Sequence, residues 1–393
     1  MMTKIATIIG ARPQFIKAAT VSRVIAAHND RAGYEPARAC QNGDYICERI
    51  IHTGQHFDDN MSEVFFRELE IPRPNYNLGI GGGSHGQNTG RMIEAIENVL
   101  LKEKPDWVLV YGDTDSTLAG ALAAAKLHIP VAHVEAGLRS YNRIMPEEIN
   151  RILADQLSTV LFCPTKIAVK NLQNEGFPHK LSVNTRQMVF NVGDVMYDAA
   201  LYYAAMSEKK SRILKTLRLT SGQFVLATIH RAENTDDPAR LAGIMEALDQ
   251  IALEIPVIIP LHPRTRKKIV LPDSGSADHR FLAITFIEPL GYLDMVMLEK
   301  NAKVIITDSG GVQKEAYFHG VPCVTVRDET EWVELVKIGA NSLAGTRKES
   351  IFEAFQMMKG RNVEIKRLYG DGDSSEKIVD ILHNYKRTSG SLK

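Results

Sequence analysis

Short apolar runs divided by amphipathic or alanine-rich stretches set the rhythm of this chain. Lys4 to Ile9, Arg49 to His52, Trp107 to Tyr111 and Val131 to Val134 are rich in β-branched residues and do not alternate apolar with polar positions. That pattern belongs to strands buried on both faces, as in a parallel sheet. Between them, Phe15 to Ala27, Met92 to Lys102 and Ala119 to Leu127 read as helices, and Pro146 opens another. The glycines from Gly79 to Gly90 predict a mobile loop, and a polar stretch runs from Asn29 to Asp44.

The same order then recurs. Phe224 to Ile229, Val257 to Leu261, Val304 to Ile306 and Cys323 to Val326 read as strands. Ala239 to Ile251 and the segment carrying Gln313, Lys314 and Glu315 read as helices, with His230 to Pro238 a polar loop. Strand, Asp-bearing turn, alanine-bearing helix and next strand follow one another in both halves, which predicts two βαβ domains. The expected fold is α/β: two Rossmann-like domains, residues 1–192 and 193–374, with parallel sheets facing across a cleft. Residues 375–393 then supply a helix returning to the first domain and a disordered tail from Thr388 to Lys393.

Charge narrows the class of partner. Across 393 residues, 47 basic side chains balance 47 acidic ones, so no global field favours nucleic acid or an anionic membrane. Phosphate recognition must be local. No apolar run approaches a membrane span, and Ile5 to Ile9 ends in Gly10-Ala11-Arg12-Pro13, unlike a signal peptide. Cys40, Cys47, Cys163 and Cys323 lack zinc-like spacing, which predicts thiols in a reducing cytoplasm.

The candidate chemistry lies at the strand ends. Thr307-Asp308-Ser309-Gly310-Gly311 joins a strand to a helix, where small residues, exposed N–H groups and the helix dipole suit a diphosphate. Glu315, near the first turn, suits the hydroxyls of a ribose. The alternative is a simple capping turn with a solvated glutamate. Arg12, Lys17, Arg139, Arg151, Arg264 and Arg327 supply cations for a diphosphate, while Asp113, Glu135, Glu147, His230 and His262 suit proton transfer at carbon. Glu147 and Glu148 also fit as a helix cap after Pro146, and His133 as a core residue or one supporting the site from behind. No G-x-G-x-x-G follows the first strand and no Walker pattern occurs, which argues against NAD and ATP; no cofactor or metal is expected.

Several ordered motifs carry a resemblance. Gly10-Ala11-Arg12-Pro13, Thr53-Gly54-Gln55-His56, Gly112-Asp113-Thr114, His133-Val134-Glu135-Ala136-Gly137-Leu138-Arg139, Pro146-Glu147-Glu148-Ile149-Asn150-Arg151 and Asp308-Ser309-Gly310-Gly311-Val312-Gln313 span most of the chain. In this order they resemble the non-hydrolysing UDP-N-acetylglucosamine 2-epimerase family, whose architecture is called GT-B. The resemblance implies inversion of C2 of a UDP-linked 2-acetamido sugar by eliminating and re-adding UDP, without NAD or metal. It implies Asp113, Glu135 and Glu147 as acid/base groups, with His230 and Arg139 near the reacting sugar or phosphate. Arg12, Lys17, Arg151 and Ser309 would anchor the diphosphate, Glu315 the ribose, and Pro289 to Tyr292 the uracil. His262, Arg264, Gly310, Gly311, Arg327 and Tyr292 complete the expected substrate contacts. A homodimer is expected.

Departures from the family pattern suggest a branch. Trp332 stands where the pattern has a second arginine, and Ala11 and Gln14 replace its threonine and glutamate. These resemble the branch acting on UDP-2,3-diacetamido-2,3-dideoxy-glucuronate, used for bacterial surface polysaccharide such as lipopolysaccharide O-antigen. An uncharged indole predicts room for a bulkier sugar, with Arg143 as cation for its carboxylate. Phe57, where many members carry arginine, puts a second regulatory nucleotide-sugar site in doubt. GT-B architecture also serves glycosyltransferases, the alternative class, but these need one base and not a group of carboxylates.

Overall fold

The computed structural model describes residues 2–31, 45–55, 70, 72–181, 186–261, 263–266, 268–269 and 283–389. The chain divides into two compact units, Met1–Ala199 with Arg367–Lys393, and Ala200–Lys366.

The first unit carries β1 (Thr3–Ile9), α1 (Arg12–Arg31), β2 (Ile46–His52), β3 (Tyr76–Asn77), α2 (His85–Glu103), β4 (Trp107–Tyr111), α3 (Asp115–Lys126), β5 (Val131–Val134), α4 (Pro146–Leu157), β6 (Val160–Cys163), α5 (Lys166–Asn174) and β7 (Met188–Asn191). Its seven strands pair in parallel in the order β3-β2-β1-β4-β5-β6-β7. The chain winds outward from β1 to β3 and then returns to its other side. The order therefore reverses between β1 and β4, whose register runs from Ile5 opposite Trp107 to Ile8 opposite Val110. Loops diverge at the carboxyl ends of such a strand pair, and that is where open parallel sheets hold ligands.

The second unit begins inside α6 (Val195–Lys210) and carries β8 (Val225–Thr228), α7 (Pro238–Ala252), β9 (Val257–Pro260), β10 (Ile284–Ile287), α8 (Tyr292–Asn301), β11 (Val304–Thr307), α9 (Gly310–Phe318), β12 (Cys323–Thr325), β13 (Asn341–Leu343) and α10 (Lys348–Met358). Its six parallel strands run β10-β9-β8-β11-β12-β13, with the reversal between β8 and β11. Both sheets are covered on both faces, so Ile5, Val108, Leu109, Val225, Ile305 and Ile306 are fully buried. That double burial is why their strands read as unbroken apolar runs.

Three local readings change. The stretch from Gly79 to Gly90 is not loop throughout, because α2 starts at His85. Ser84 Oγ accepts from Gln87 N, and Gln87 Oε1 accepts from Ser84 N at 3.2 Å, a capping box that offsets the cost of two helical glycines. The loop from His230 to Pro238 contains a helical turn, Ala232–Thr235, and Pro238 opens α7 behind the Asp237 cap. Finally, α11 (Ser374–Ser389) includes Thr388 and Ser389, which the sequence reading put in the tail; residues 390–393 lie outside the described ones. This helix packs on the first unit, where His383 Nδ1 lies 3.2 Å from Thr3 Oγ1 and Tyr385 meets Trp107 edge to face. Among the described residues no helix is long and apolar enough to cross a membrane.

Candidate functional site

The first unit gathers its charged candidates where the strand order reverses. Gly112 follows β4 at φ +62, turning the chain into Asp113. A side chain at Gly112 would meet Glu135 Oε2 at 3.2 Å and Lys17 Nζ at 3.3 Å, so the turn passes directly against that ion pair. Lys17 comes from α1 and forms a salt bridge with Glu135, which follows β5. Glu135 itself holds a left-handed φ of +72, with its own N–H and that of Ala136 both donating to Phe162 O. Such a conformation is costly for a residue with a Cβ and persists only where its surroundings enforce it.

Helix α4 closes the group. Pro146 sits in its first turn and leaves Glu147 exposed beside the cluster, while Arg151, one turn on, forms an ion pair with Asp113. Asn150 Nδ2 donates to Asp113 O at 3.0 Å and to Asp115 Oδ1 at 3.1 Å, pinning the turn to α4. Glu148, by contrast, is buried and accepts from the N–H groups of Ser140 and Tyr141, so it organises the preceding loop. Withdrawal from water pushes the Asp113 carboxyl above its ordinary range; the Arg151 and Lys17 charges oppose this, and those of Glu135 and Glu147 add to it. Three carboxylates and two cations thus share one electrostatic neighbourhood. A carboxyl raised in this way holds its proton more readily than a free one, which suits a group that must both take and return a proton.

Arg139 does not join them. Its guanidinium is 1% exposed and fully engaged, with Nη1 2.7 Å from Asp155 Oδ2 and the Nε and Nη2 fork on the Glu175 carboxylate at 2.7 and 2.8 Å. A cation matched by two carboxylates is poorly placed to receive a developing charge, so this pairing does not favour the expected place of Arg139 near the reacting sugar or phosphate. Two residues behind the cluster escaped the sequence reading. Gln14, noted there only as a departure, accepts from Gly10 N and Ala11 N and donates to Tyr111 O at 2.8 Å, tying the β1 turn to β4. Asp155 left a signal, since it lies one and two helical turns beyond Arg151 and Glu147 on the same face of α4.

The second unit has its own group around α9. Ser309 caps that helix, accepting from Val312 N, and Gly310 and Gly311 form its first turn. Buried Asp308 accepts from the N–H groups of His230 and Arg231 and from Asn234 Nδ2, fixing the turn after β8 against the turn after β11. His230 presents a 40% exposed ring, with Nδ1 3.7 Å from Asp308 Oδ1. Arg327 Nη1 bonds Glu331 Oε2 at 2.9 Å, and Arg327 Nε lies 3.4 Å from Glu233. Burial raises the Glu331 carboxyl, but the Arg327 and Arg231 charges outweigh it and hold the group below its ordinary range. A Cβ on Gly310 would fall 2.1 Å from Glu331 Oε1, so only glycine admits that carboxylate at the helix N-terminus. Glu315 and Tyr292 are joined, the phenol donating to Glu315 Oε1 at 3.1 Å, and Tyr292 packs edge-on against Tyr203. Burial and the Glu315 charge push the Tyr292 hydroxyl well above its ordinary range.

Trp332 is 4% exposed, with Lys314 Nζ 4.2 Å above its ring, a cation–π contact packed beside the start of α9. Its indole is buried there under the lysine. Arg143 is exposed in the loop before Pro146. His262 and the side chains of Arg12 and Arg264 lie outside the described residues.

Known proteins match this chain along almost its whole length. The family model described as UDP-N-acetylglucosamine 2-epimerase matches residues 38–383. The UDP-2,3-diacetamido-2,3-dideoxy-D-glucuronate 2-epimerase of Pseudomonas aeruginosa is 53% identical over 382 residues, covering 96% of this chain and 99% of that protein. The crystal structure of the Methanocaldococcus jannaschii UDP-GlcNAc 2-epimerase in complex with UDP-GlcNAc and UDP is 44% identical, with a TM-score of 0.82 over 98% of this chain and 100% of that one. The Neisseria meningitidis UDP-GlcNAc 2-epimerase bound to UDP-GlcNAc is 31% identical, also at a TM-score of 0.82, over 97% of this chain and 100% of its own. With two parallel α/β sheets and full-length matches of this strength, the chain belongs to the UDP-N-acetylglucosamine 2-epimerase family of isomerases.

Proposed function

We propose that this epimerase acts on UDP-2,3-diacetamido-2,3-dideoxy-D-glucuronate in preference to UDP-N-acetylglucosamine. The observation that carries the choice is identity: 53% to the Pseudomonas aeruginosa enzyme named for the diacetamido uronate, against 44% to the Methanocaldococcus jannaschii UDP-N-acetylglucosamine 2-epimerase at equal coverage of this chain. Trp332 supports it only in part, since the buried indole replaces a cation without itself lining open space. Exposed Arg143 remains the candidate partner for the 6-carboxylate.

In this reading a carboxylate of the Asp113, Glu135 and Glu147 group takes the C2 proton. The C1–O bond breaks and UDP leaves with the bonding electron pair, generating the 2-acetamidoglucal. A protonated carboxyl then returns a proton to the opposite face of C2, and a UDP oxygen re-forms the bond to C1. Lys17 and Arg151 balance the carboxylates in the resting enzyme and supply cations for the departing diphosphate, with Arg12 and Arg264 as further cations on the strength of the family resemblance alone. Ser309, Gly310 and Gly311 seat the diphosphate at the α9 N-terminus, supported by Arg327. Glu315 takes the ribose hydroxyls, Tyr292 stands at the nucleoside, His230 serves the reacting sugar or phosphate, and His262 is a substrate contact on the strength of the family resemblance alone. A homodimer fits the exposed Ile144, Ile149 and Leu153 on and before α4, and Cys47, Cys163 and Cys323, unpaired among the described residues, suit the cytoplasm.

Proton NMR of each UDP-sugar in deuterated water tests the chemistry. Deuterium should enter C2, with no added NAD and in the presence of EDTA. Transfer to an acceptor without C2 exchange would instead identify a glycosyltransferase. The ratio of kcat/KM for the two sugars tests the preference: equal or faster turnover of UDP-N-acetylglucosamine refutes it.

A further inference from the structure

Helix α4 reaches the candidate site with Glu147 and Arg151, but its next turn points inward. There Asp155 is fully buried, and its two oxygens serve different turns. Oδ2 accepts from Gly137 N at 3.2 Å and from Arg139 at 2.7 Å, both in the loop that follows Glu135. Oδ1 lies 2.8 Å from His133 Nδ1. His133, also fully buried, stands on β5 two residues before Glu135, and its Nε2 lies 2.7 Å from Gly112 O. A carbonyl only accepts, so the ring donates from Nε2. That carbonyl belongs to the peptide whose nitrogen is Asp113's own. An unbroken buried chain therefore joins α4 to both turns, one carrying Asp113 and the other Glu135.

Those turns need restraint. Glu135 holds a left-handed φ of +72, which a residue with a Cβ keeps only when several contacts over-determine it. The flanking Gly112 and Gly137, at +62 and +79, are free to take other conformations unless they too are held. The bonds to Gly112 O and Gly137 N are two such contacts, the first made by His133 and the second by Asp155, and these two residues touch each other. Stability alone is a weak reason for this arrangement, because a buried ion pair is often no better for stability than well-packed apolar side chains. Fixed geometry is a stronger one, since an elimination run on two faces of C2 needs carboxylates held at one separation.

We propose that Asp155 and His133 are positioning residues, which set the separation of Asp113 and Glu135 by holding the two turns from α4. The inference rests on the functional reading above. It assigns to the His133 Nε2–Gly112 O bond the larger share of the effect, because that bond acts on the peptide of Asp113 itself.

Paired substitutions test it in the full-length enzyme. His133→Gln keeps an amide N–H where Nε2 now donates, whereas His133→Asn reaches only toward Asp155. His133→Asn should lower kcat by about 10²-fold, the scale of a misplaced reacting group, with KM and UDP affinity within about 3-fold of the parent. His133→Gln should recover most of that loss. Asp155→Asn, which keeps the shape and removes the charge, should lower kcat with KM unmoved in an enzyme that still folds, with a lower melting temperature because Arg139 loses one of its two buried partners. Equal kcat for the two His133 variants, a loss confined to KM, or failure of both His133→Asn and Asp155→Asn to fold would each overturn the proposal. Parent enzyme that exchanges no C2 hydrogen on any UDP-2-acetamido sugar would defeat the functional reading and this inference together. Active parent enzyme with undiminished variants would defeat this inference alone.

Discussion

Gly112→Ala separates the cost of a strained turn from the cost of disturbing the ion pair behind it. Gly79 is the matched control. Both glycines have φ of +62, in the same unit, but a Cβ on Gly79 meets nothing within 4 Å, whereas one on Gly112 meets Glu135 Oε2 at 3.2 Å and Lys17 Nζ at 3.3 Å. Forcing an alanine into left-handed backbone costs about 1–2 kcal/mol at either position. For a unit of this size each kcal/mol lowers the melting temperature by about 2–4 °C, so both variants should lose about 2–8 °C. Only Gly112→Ala should damage catalysis. The Lys17–Glu135 pair must give by a few tenths of an ångström, and the peptide of Asp113 shifts with it. Since a full ångström costs about 10²-fold, the expected fall in kcat is about 3- to 10-fold, with Gly79→Ala unchanged. Differential scanning calorimetry gives the melting temperatures and the C2 exchange assay gives kcat. Equal kcat in the two variants would show that the Lys17–Glu135 pair at Gly112 has no part in the chemistry.

Two further outcomes follow from the charges. Asp113→Asn and Glu135→Gln should each lower kcat by about 10²- to 10⁴-fold while the UDP dissociation constant from calorimetric titration stays put; Glu315→Ala should do the reverse, and equal weakening of UDP by both types would show that roles are wrongly divided between the two units. Glu103 is held down to about 2 by Lys4 and by the Tyr76 hydroxyl, with Lys4 Nζ 2.7 Å away. A carboxyl depressed by folding stabilises the protein above its unfolded pKa and stops doing so as pH falls through the folded value. Glu103→Gln should therefore lower the melting temperature at pH 7, and the difference should fade between about pH 4.5 and pH 2; a gap independent of pH would mean that packing, not charge, is lost.

Much of the architecture lies open in the sequence because parallel strands leave a coarse signature. Runs such as Trp107 to Tyr111 and Val304 to Ile306 are apolar at every position, which only burial on both faces explains. Motif order likewise marks Asp113, Glu135 and Ser309 as residues just past strand ends and Glu147 as one at a helix start. Local capping was harder to read: glycine content from Gly79 to Gly90 suggested a loop, yet Ser84 and Gln87 start a helix inside it. Tertiary structure alone decided what each charge faces. Lys17 meets Glu135 and Arg151 meets Asp113, pairings between helices and strands far apart in the chain. Arg139, in sequence one more cation beside a glycine-bearing turn, is consumed by Asp155 and Glu175, and Trp332 disappears beneath Lys314. The reason is physical. A strand's burial is written in its own residues, whereas the partner of a charge depends on which loops the folded sheet brings within a few ångströms, and no local pattern records that distance.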